Sequence, residues 1–528
     1  MTKKVAFVAM LIAGAVTLVS AQDSSKRTTP DISKKIMPTV RVELKAAYER
    51  TPEQMDAFDA TMAISREEKA EPAPRPTMDA GVYARLKQQA QLAPRTPKPT
   101  SGNFGPDSPQ ATLVFTGATE CDGGSGCWTP PDVAGTIGKA NWVSTSNDVI
   151  EIHSKSGALQ KINSLNGFFG YSTQPMFDPR VQYDEENQRW IVIADAFPES
   201  SAVQYLGVAI SQTNSPTGKW WIYFLNTNGF TGTGAFYDYP MLGITQDAVY
   251  ITANVFGANF FQGAYVFSMA KARLYNGYGF SVPVFGGLDA TLAPGHQLLS
   301  DQNGYAWLAA ANAPGINMYA LAFPANPTDT AIYGPYAVSG VNAWSTPPGA
   351  PQPTSCAPAG ALLDSLDGRF QNVGIQAGDL YYQTNTTADF GVATPRYYII
   401  SGLQSFTPAV SYSTDVFGFG TTSYDFNPSI GTDTFGRFAL TWSDTDPTSG
   451  INASMYYADN KSGNPTNNAG ASRLYVSPAC YTGVGTSRWG DYSQTSYDFS
   501  TVAPTFWVTN ESIPSNNFWS TKVAKVAY

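Results

Sequence analysis

FDPRVQYDEENQRWIVIAD, residues 177–195, carries the organisation of the whole chain in one unit. A strand-start motif with Asp178 leads into a brief strand, a polar turn follows at residues 184–188, and an aromatic-apolar run from Arg189 ends on Asp195. Two strands joined by a tight turn is the reading this pattern predicts. The layout recurs in PPDVAGTIGKANWVSTSN ending on Asn147, YDYPMLGITQDAVYITAN on Asn254, HQLLSDQNGYAWLAAAN on Asn312, FQNVGIQAGDLYYQTN on Asn385, FNPSIGTDTFGRFALTWSD on Asp444 and GDYSQTSYDFSTVAPTFWVTN on Asn510. The end points lie 48 to 73 residues apart. That period suits four-stranded propeller blades with loop insertions, so the chain is expected to be all-β, a seven-bladed β-propeller of antiparallel blades.

Further strand-like runs supply the outer half of each blade: DVIEIHSKSGALQKINSL after the first copy, then YLGVAIS and WWIYFLN after the second. The last copy has only NFWSTKVAKVAY left, while ATLVFTG at residues 111–117 precedes the first copy and has no blade of its own. Ring closure by that N-terminal strand in the last blade uses both and removes an exposed sheet edge.

Three segments are expected. Residues 1–21 read as a secretory signal, with Lys3 and Lys4 before an apolar run and small residues at Val19 and Ala21. Residues 22–103 are charged and poor in aromatics, with short helix-like stretches, and end in the proline-rich LAPRTPKPTSG; they read as a partly helical or disordered pro-region or tether. Residues 104–528 form the propeller. After the signal no run is long and apolar enough for a membrane helix, so an exported, secreted monomer is expected. Residues 23–103 hold 14 Lys or Arg against 11 Asp or Glu, whereas 104–528 hold 16 against 30. Such acidity repels a phosphate backbone and argues against a nucleic-acid partner. Four cysteines in an exported chain predict disulfides: Cys121 with Cys127 around the loop CDGGSGC, which leaves Cys356 with Cys480. Zinc has little to bind, since His153 and His296 are the only histidines.

These motifs resemble a largely uncharacterised group of secreted bacterial β-propeller-like proteins. Its strand-start motifs have the forms PPD-x-x-G-x-x-G (here residues 130–138), DP-x-V-x-YD-x-x-x-x-RW (178–190) and DYP-x-LG (238–243), followed by RWGDY (488–492) and TFW-x-TNE (505–511). The resemblance covers most of residues 111–528 and implies a fold and export rather than an activity. More distantly the chain is similar to sialidase-type propellers, whose turns carry Ser-x-Asp-x-Gly-x-Thr-Trp boxes. SQTNSPTGKWW (211–221) and SDTDPTSG (443–450) stand at a comparable place without that residue order.

In a propeller, the start motifs and the end residues share one face around the central channel. Asp132, Asp178, Asp238 and Asp491 are therefore expected to gather there with Asp195 and Asp444. Paired carboxylates can serve as acid and base in glycoside hydrolysis, or hold Ca²⁺ with carbonyl and Asn oxygens. A repeated Asp or Asn at a turn also caps its own backbone, which is the plain structural reading of a recurring motif. In RWGDYS, Gly490-Asp491-Tyr492 is aligned with Phe177-Asp178-Pro179 and Tyr237-Asp238-Tyr239, which leaves Arg488 and Trp489 as the distinctive pair. The fourth start motif is read at His296-Gln297 and the fifth at Arg369-Phe370-Gln371. Ligand contacts are accordingly expected from Arg488, Trp489, Arg369 and Tyr239, where arginine grips anions and aromatic faces stack on sugars. The function this predicts is binding of an extracellular glycan or similar polar ligand at the channel face. Its rivals are a polysaccharide hydrolase or lyase using the start-motif carboxylates, and a structural or adhesive surface protein with a protein partner.

Overall fold

The structure, a computed structural model, describes residues 29–70, 75–99, 110–124, 126–196, 204–227, 235–257, 260–298, 304–322, 330–356, 361–418, 421–465, 471–482 and 488–527. The signal-like stretch lies outside them. The fold is all-β. Successive antiparallel sheets each begin with an inner strand: β1 (Ala134–Ile137), β2 (Met176–Asp184), β3 (Phe236–Ile244), β4 (Ala293–Gln297), β5 (Gly374–Ala377), β6 (Tyr424–Thr432) and β7 (Gln494–Tyr497). From each inner strand the next strands in sequence add outward, as in β2 followed by Arg189–Ala196, Tyr205–Ser211 and Trp220–Asn226. The β7 sheet has only two later strands of its own, and its fourth place is taken by Gln110–Thr119, which pairs with Phe518–Ala527. Inner strands β4 and β5 pair in parallel, fusing their two sets into one sheet. Each inner strand packs against the next in chain order, and β7 packs against β1.

Both faces of the sheets are covered by neighbouring sheets, so the central strands read as continuous apolar runs rather than alternating ones. Ile191, Ile193, Val208 and Ile210 of the β2 sheet meet Leu242, Ile251 and Phe267 of the β3 sheet in one such layer. Gly138, directly after the end of β1, permits such close contact between the β1 and β2 sheets. A Cβ on Gly138 would lie 2.5 Å from the Trp190 ring, so a side chain there would force the β1 and β2 sheets apart. Both expected disulfides are present, Cys121 with Cys127 and Cys356 with Cys480.

The N-terminal extension is laid on this scaffold. Lys35–Ile36 adds to the outer strand of the β4 sheet, Val40–Leu44 to that of the β3 sheet and Tyr48–Arg50 to that of the β2 sheet. Helix α1 (Pro52–Asp59) opens on a capping box between Thr51 and Gln54 and docks on the β1 sheet, where Asp59 accepts from Asn163 at 2.8 Å. A segment with little apolar surface can hold such a course because the sheet edges provide backbone hydrogen bonds instead of side-chain burial; in return those edges are covered. The segment then crosses to the face where the inner strands start. Glu68–Ala70 pairs in parallel with Cys127–Thr129, and helix α2 (Ala80–Leu92), capped by Asp79, lies over the inner-strand starts.

Candidate functional site

The start motif is first a backbone device. At the start of the inner strands Asp132, Asp178, Tyr239, Thr291 and Asn427 have φ between 44° and 61°, in the left-handed region. Asp and Asn tolerate that region better than most residues, whereas the bulky Tyr239 and the β-branched Thr291 are outliers there. The residue in this slot is latched to the preceding sheet. Asn147 accepts the Asp178 N–H at 2.9 Å, Asn254 accepts the Thr291 N–H at 2.7 Å, and Thr386 Oγ1 accepts the Asn427 N–H at 3.2 Å. Asn147 also donates to Asp132 Oδ2 at 2.9 Å and to the Pro130 carbonyl at 2.8 Å. Asn147→Ala, which strands these buried partners, is expected to cost about 1–3 kcal/mol in a denaturant melt.

The slot shifts the sequence alignment by one residue. Register breaks at Phe177/Arg180, Asp238/Met241 and Phe426/Ser429 place Asp178, Tyr239 and Asn427 in equivalent positions, each followed by proline. Tyr239, not Asp238, therefore matches Asp178. The parallel strings Asp238-Tyr239-Pro240 and Asp491-Tyr492-Ser493 put Asp491 beside Asp238 in this scheme. The position before the slot is then Pro131, Phe177, Asp238, Ala290, Phe370, Phe426 and Asp491 around the sheets. Two carboxylates stand where the other copies have apolar residues, so backbone capping, the plain role of a repeated acid, does not account for Asp238 or Asp491. The fourth start motif is also corrected. Thr291 fills its slot, and His296-Gln297 stands at the far end of β4. Thr291 lacks the Asp or Asn that Asp132, Asp178 and Asn427 bring to the slot, and the nearby polar pair resembles a start motif more closely.

The middle of the motif face is closed by side chains from several sheets. Arg180 donates to the Pro240 carbonyl at 2.9 Å and to Asn372 Oδ1 and the Gln371 carbonyl at 3.3 Å. Its guanidinium lies 3.1 Å from the Tyr492 ring centre. Arg369 grips Asp367 through Nε and Nη2 at 2.8 and 2.7 Å and lies over the Tyr239 ring at 4.7 Å. The Tyr239 hydroxyl donates to the Asp491 carbonyl at 3.0 Å, while the Asp491 carboxylate accepts from Arg488 Nη1 at 3.0 Å. Trp489 is 1 % exposed, packed against Phe426 and Tyr481 and donating to Ser443, which leaves it no face for a ligand; Tyr239 is equally buried.

Burial dominates the electrostatics. Asp132, Asp178, Asp238 and Asp491 are 0 to 4 % exposed. Asp132 is engaged on both oxygens, by Asn147 and by the Asp491 N–H at 2.5 Å. Desolvation, then the charges of Asp238 and Asp491, pushes Asp178 up to about 7. Desolvation likewise raises Asp238 to about 6 against the pull of Arg369, and Asp491 to about 7 against that of Arg488. Asp195 and Asp444 are also raised, by desolvation and then by Asp178 and Asp425 respectively. A carboxyl group raised in the folded state binds its proton more tightly there than when unfolded. Its contribution to stability is complete below the ordinary value near 3.8 and is lost as pH rises through about 7. Asp178→Asn, which keeps a side chain already found in the equivalent slot at Asn427, is expected to raise stability at pH 8 by about 1–3 kcal/mol and to flatten the fall between pH 5 and 8. Thermal melts across that range check it.

Beside this cluster lies a cavity of about 370 Å³, within the range of small-ligand sites. Thr291, Trp344, Thr346, Asp367 and Arg369 line its floor, and Thr77, Met78 and Leu86 of the N-terminal segment its roof. Trp344 Nε1 and Arg369 Nη1 are buried donors without a hydrogen-bond partner. Of the expected ligand residues the structure thus brings Arg369 to a cavity. Trp344 and Thr346 carry no signal in the sequence because they belong to a loop outside the repeated units. On the opposite side, a smaller cavity of about 100 Å³ is lined by Asp184, Glu185, Lys271 and His296. Among the described residues, no group of three or more His, Cys, Asp and Glu side chains is arranged to hold a metal ion.

No protein-family model and no curated protein sequence matches the chain. Solved structures similar to it include the exo-β-1,3-galactanase from Phanerochaete chrysosporium with β-1,3-galactotriose, at 12 % identity and a TM-score of 0.30 over 79 % of this chain and 100 % of that one. Native Bacillus subtilis arabinanase is 14 % identical, with a TM-score of 0.28 over 53 % of this chain and 96 % of that one. The GH43 endo-arabinanase from Bacillus licheniformis is 12 % identical, with a TM-score of 0.27 over 53 % and 96 %. Likenesses this low bear on neither the fold nor the activity of this chain.

Proposed function

We propose that the chain is an exported, closed seven-bladed β-propeller that hydrolyses an extracellular polysaccharide at its motif face, with Asp238 and Asp491 as the acid and its carboxylate partner. The ring is supported by the order in which inner strands meet and by the return of β7 to β1. Export is supported by the signal-like start and the two disulfides; no described helix is long and apolar enough to cross a membrane. The observation that carries the activity is the pair of carboxylates that break the strand-start repeat. Both are raised towards neutrality by burial, and the backbone N–H of Arg75 in the N-terminal segment donates to Asp238 Oδ2 at 3.4 Å.

A carboxyl group that keeps its proton near neutral pH can protonate a glycosidic oxygen as the bond to it breaks. The partner carboxylate activates water or bonds the sugar carbon. Arg369 and Trp344 provide a charged donor and an aromatic wall for the sugar in the adjoining cavity. Asp132 and Asp178, in the slot, hold the sheets together. The test is product release from a panel of neutral and acidic polysaccharides. New reducing ends from at least one member are expected; retention without cleavage would reduce the site to a binding module.

A second reading, a structural or adhesive platform, is favoured by the closed centre formed by Arg180, Tyr239 and Tyr492. It predicts neither cleavage nor saturable glycan binding.

A further inference from the structure

We infer that residues 76–92 are a lid over the motif-face site, clamped at both ends and weakly held between them. The inference rests on the proposed location of the site and adds how that site is opened. Before the lid, Lys69 lies over the Trp128 ring at 5.3 Å, and the Arg75 guanidinium over Phe236 and Phe256 at 5.3 and 5.9 Å. After it, the Thr96 N–H donates to the Phe390 carbonyl at 3.0 Å, and Lys98 forms an ion pair with Asp425 in which both side chains are wholly buried.

Between these clamps, α2 is 13 residues long and buries none of them. Tyr83, Leu86, Lys87 and Ala90 follow one another at helical spacing and face the propeller, yet each stays partly exposed; Val82 and Leu92 are 37 and 76 % exposed. Polar attachment rests on Lys87, whose ammonium donates to the carbonyls of Pro347 and Leu366 at 3.1 and 2.7 Å and to Ser365 Oγ at 3.2 Å and pairs with Asp364 at 3.6 Å. An isolated helix of this length is marginal in water, so α2 keeps its shape only while it rests on the face. A segment with few buried contacts opens locally at far lower cost than the sheets beneath it. Opening would unroof the 370 Å³ cavity, uncover Trp344 and Arg369, and leave the belt of edge strands and both clamps in place.

Hydrogen exchange on the full chain, read peptide by peptide, tests the lid together with hydroxyl-radical labelling of Trp344. Amides of residues 80–92 are expected to exchange about tenfold faster or more than those of the strands beneath, with Trp344 labelled in the native protein. Lys87→Met, which removes the central anchor, should speed both by about fivefold or more without moving the melting temperature. Should Lys87→Met melt early, the wild-type exchange pattern decides alone. Exchange of α2 only at the rate of the whole fold, or Trp344 labelling unchanged in a stable Lys87→Met, would overturn the lid. Neither readout needs a substrate, so a protein that cleaves nothing can still have the lid, and a protein that cleaves with a static α2 would lose the lid and keep the site.

Discussion

Lys98→Ala is expected to destabilise the protein by about 3–5 kcal/mol, the largest loss for any single charge in the N-terminal extension. The Lys98 ammonium meets Asp425 Oδ2 at 2.5 Å, and both side chains are 0 % exposed. Asp425 also accepts from the Gly418 N–H at 2.8 Å, Ser423 Oγ at 2.7 Å and Trp442 Nε1 at 2.8 Å, so its charge is well fixed and cannot turn to water once the lysine is gone. Removing one partner of a buried pair leaves the other uncompensated, whereas replacing both is far milder. Lys98→Met with Asp425→Asn should therefore recover most of the loss in a urea melt. If Lys98→Ala melts like the wild type, the extension is not clamped to the β6 sheet and the lid loses its C-terminal anchor.

The second large effect concerns activity. On the polysaccharide that the wild type cleaves, Asp238→Asn and Asp491→Asn should each lower kcat by about 10²- to 10⁴-fold, as expected for loss of a general acid or its partner. Asp238→Asn should melt at or above the wild-type temperature at pH 8, because it removes a carboxyl group whose ionised form burial disfavours, whereas Asp491→Asn, which leaves the buried Arg488 guanidinium without its charge partner, should melt below it. The wild-type rate should fall as pH rises above about 6 to 7, where the acid loses the proton it must donate. A variant that loses activity together with its folded baseline would say nothing of catalysis, which is why the melts accompany the rates.

Much of the scaffold is legible in the sequence because it is repeated. The start motif, turn and aromatic strand recur, and the leftover strands before the first copy and after the last call for each other, as the pairing of Gln110–Thr119 with Phe518–Ala527 shows. The one-residue register of the start motif is not legible, since polar residues crowd both positions and only the left-handed backbone separates Asp178 from Asp238. The belt of edge strands is hidden for a different reason. Stretches such as Val40–Leu44 and Tyr48–Arg50 are held by backbone bonds to sheet edges, which need no marked side-chain pattern. The burial of Lys98 in a proline-rich stretch is decided by a carboxylate 327 residues away, and no local signal announces it. The cavity joins Met78, Thr291, Trp344 and Arg369 from four distant places in the chain. RWGDYS changes most in meaning: Trp489 is packing, Arg488 pairs with its own Asp491, and Asp491 is the residue that departs from the repeat.

The division between carboxylates in the left-handed slot and carboxylates beside it is the central claim, and reducing-end release by Asp238→Asn and Asp178→Asn, compared at matched folded fractions, tests it most directly. Asp238→Asn is predicted to abolish cleavage, while Asp178→Asn, a change within the structural slot, retains it. Retained cleavage in Asp238→Asn, or loss confined to Asp178→Asn, would contradict it.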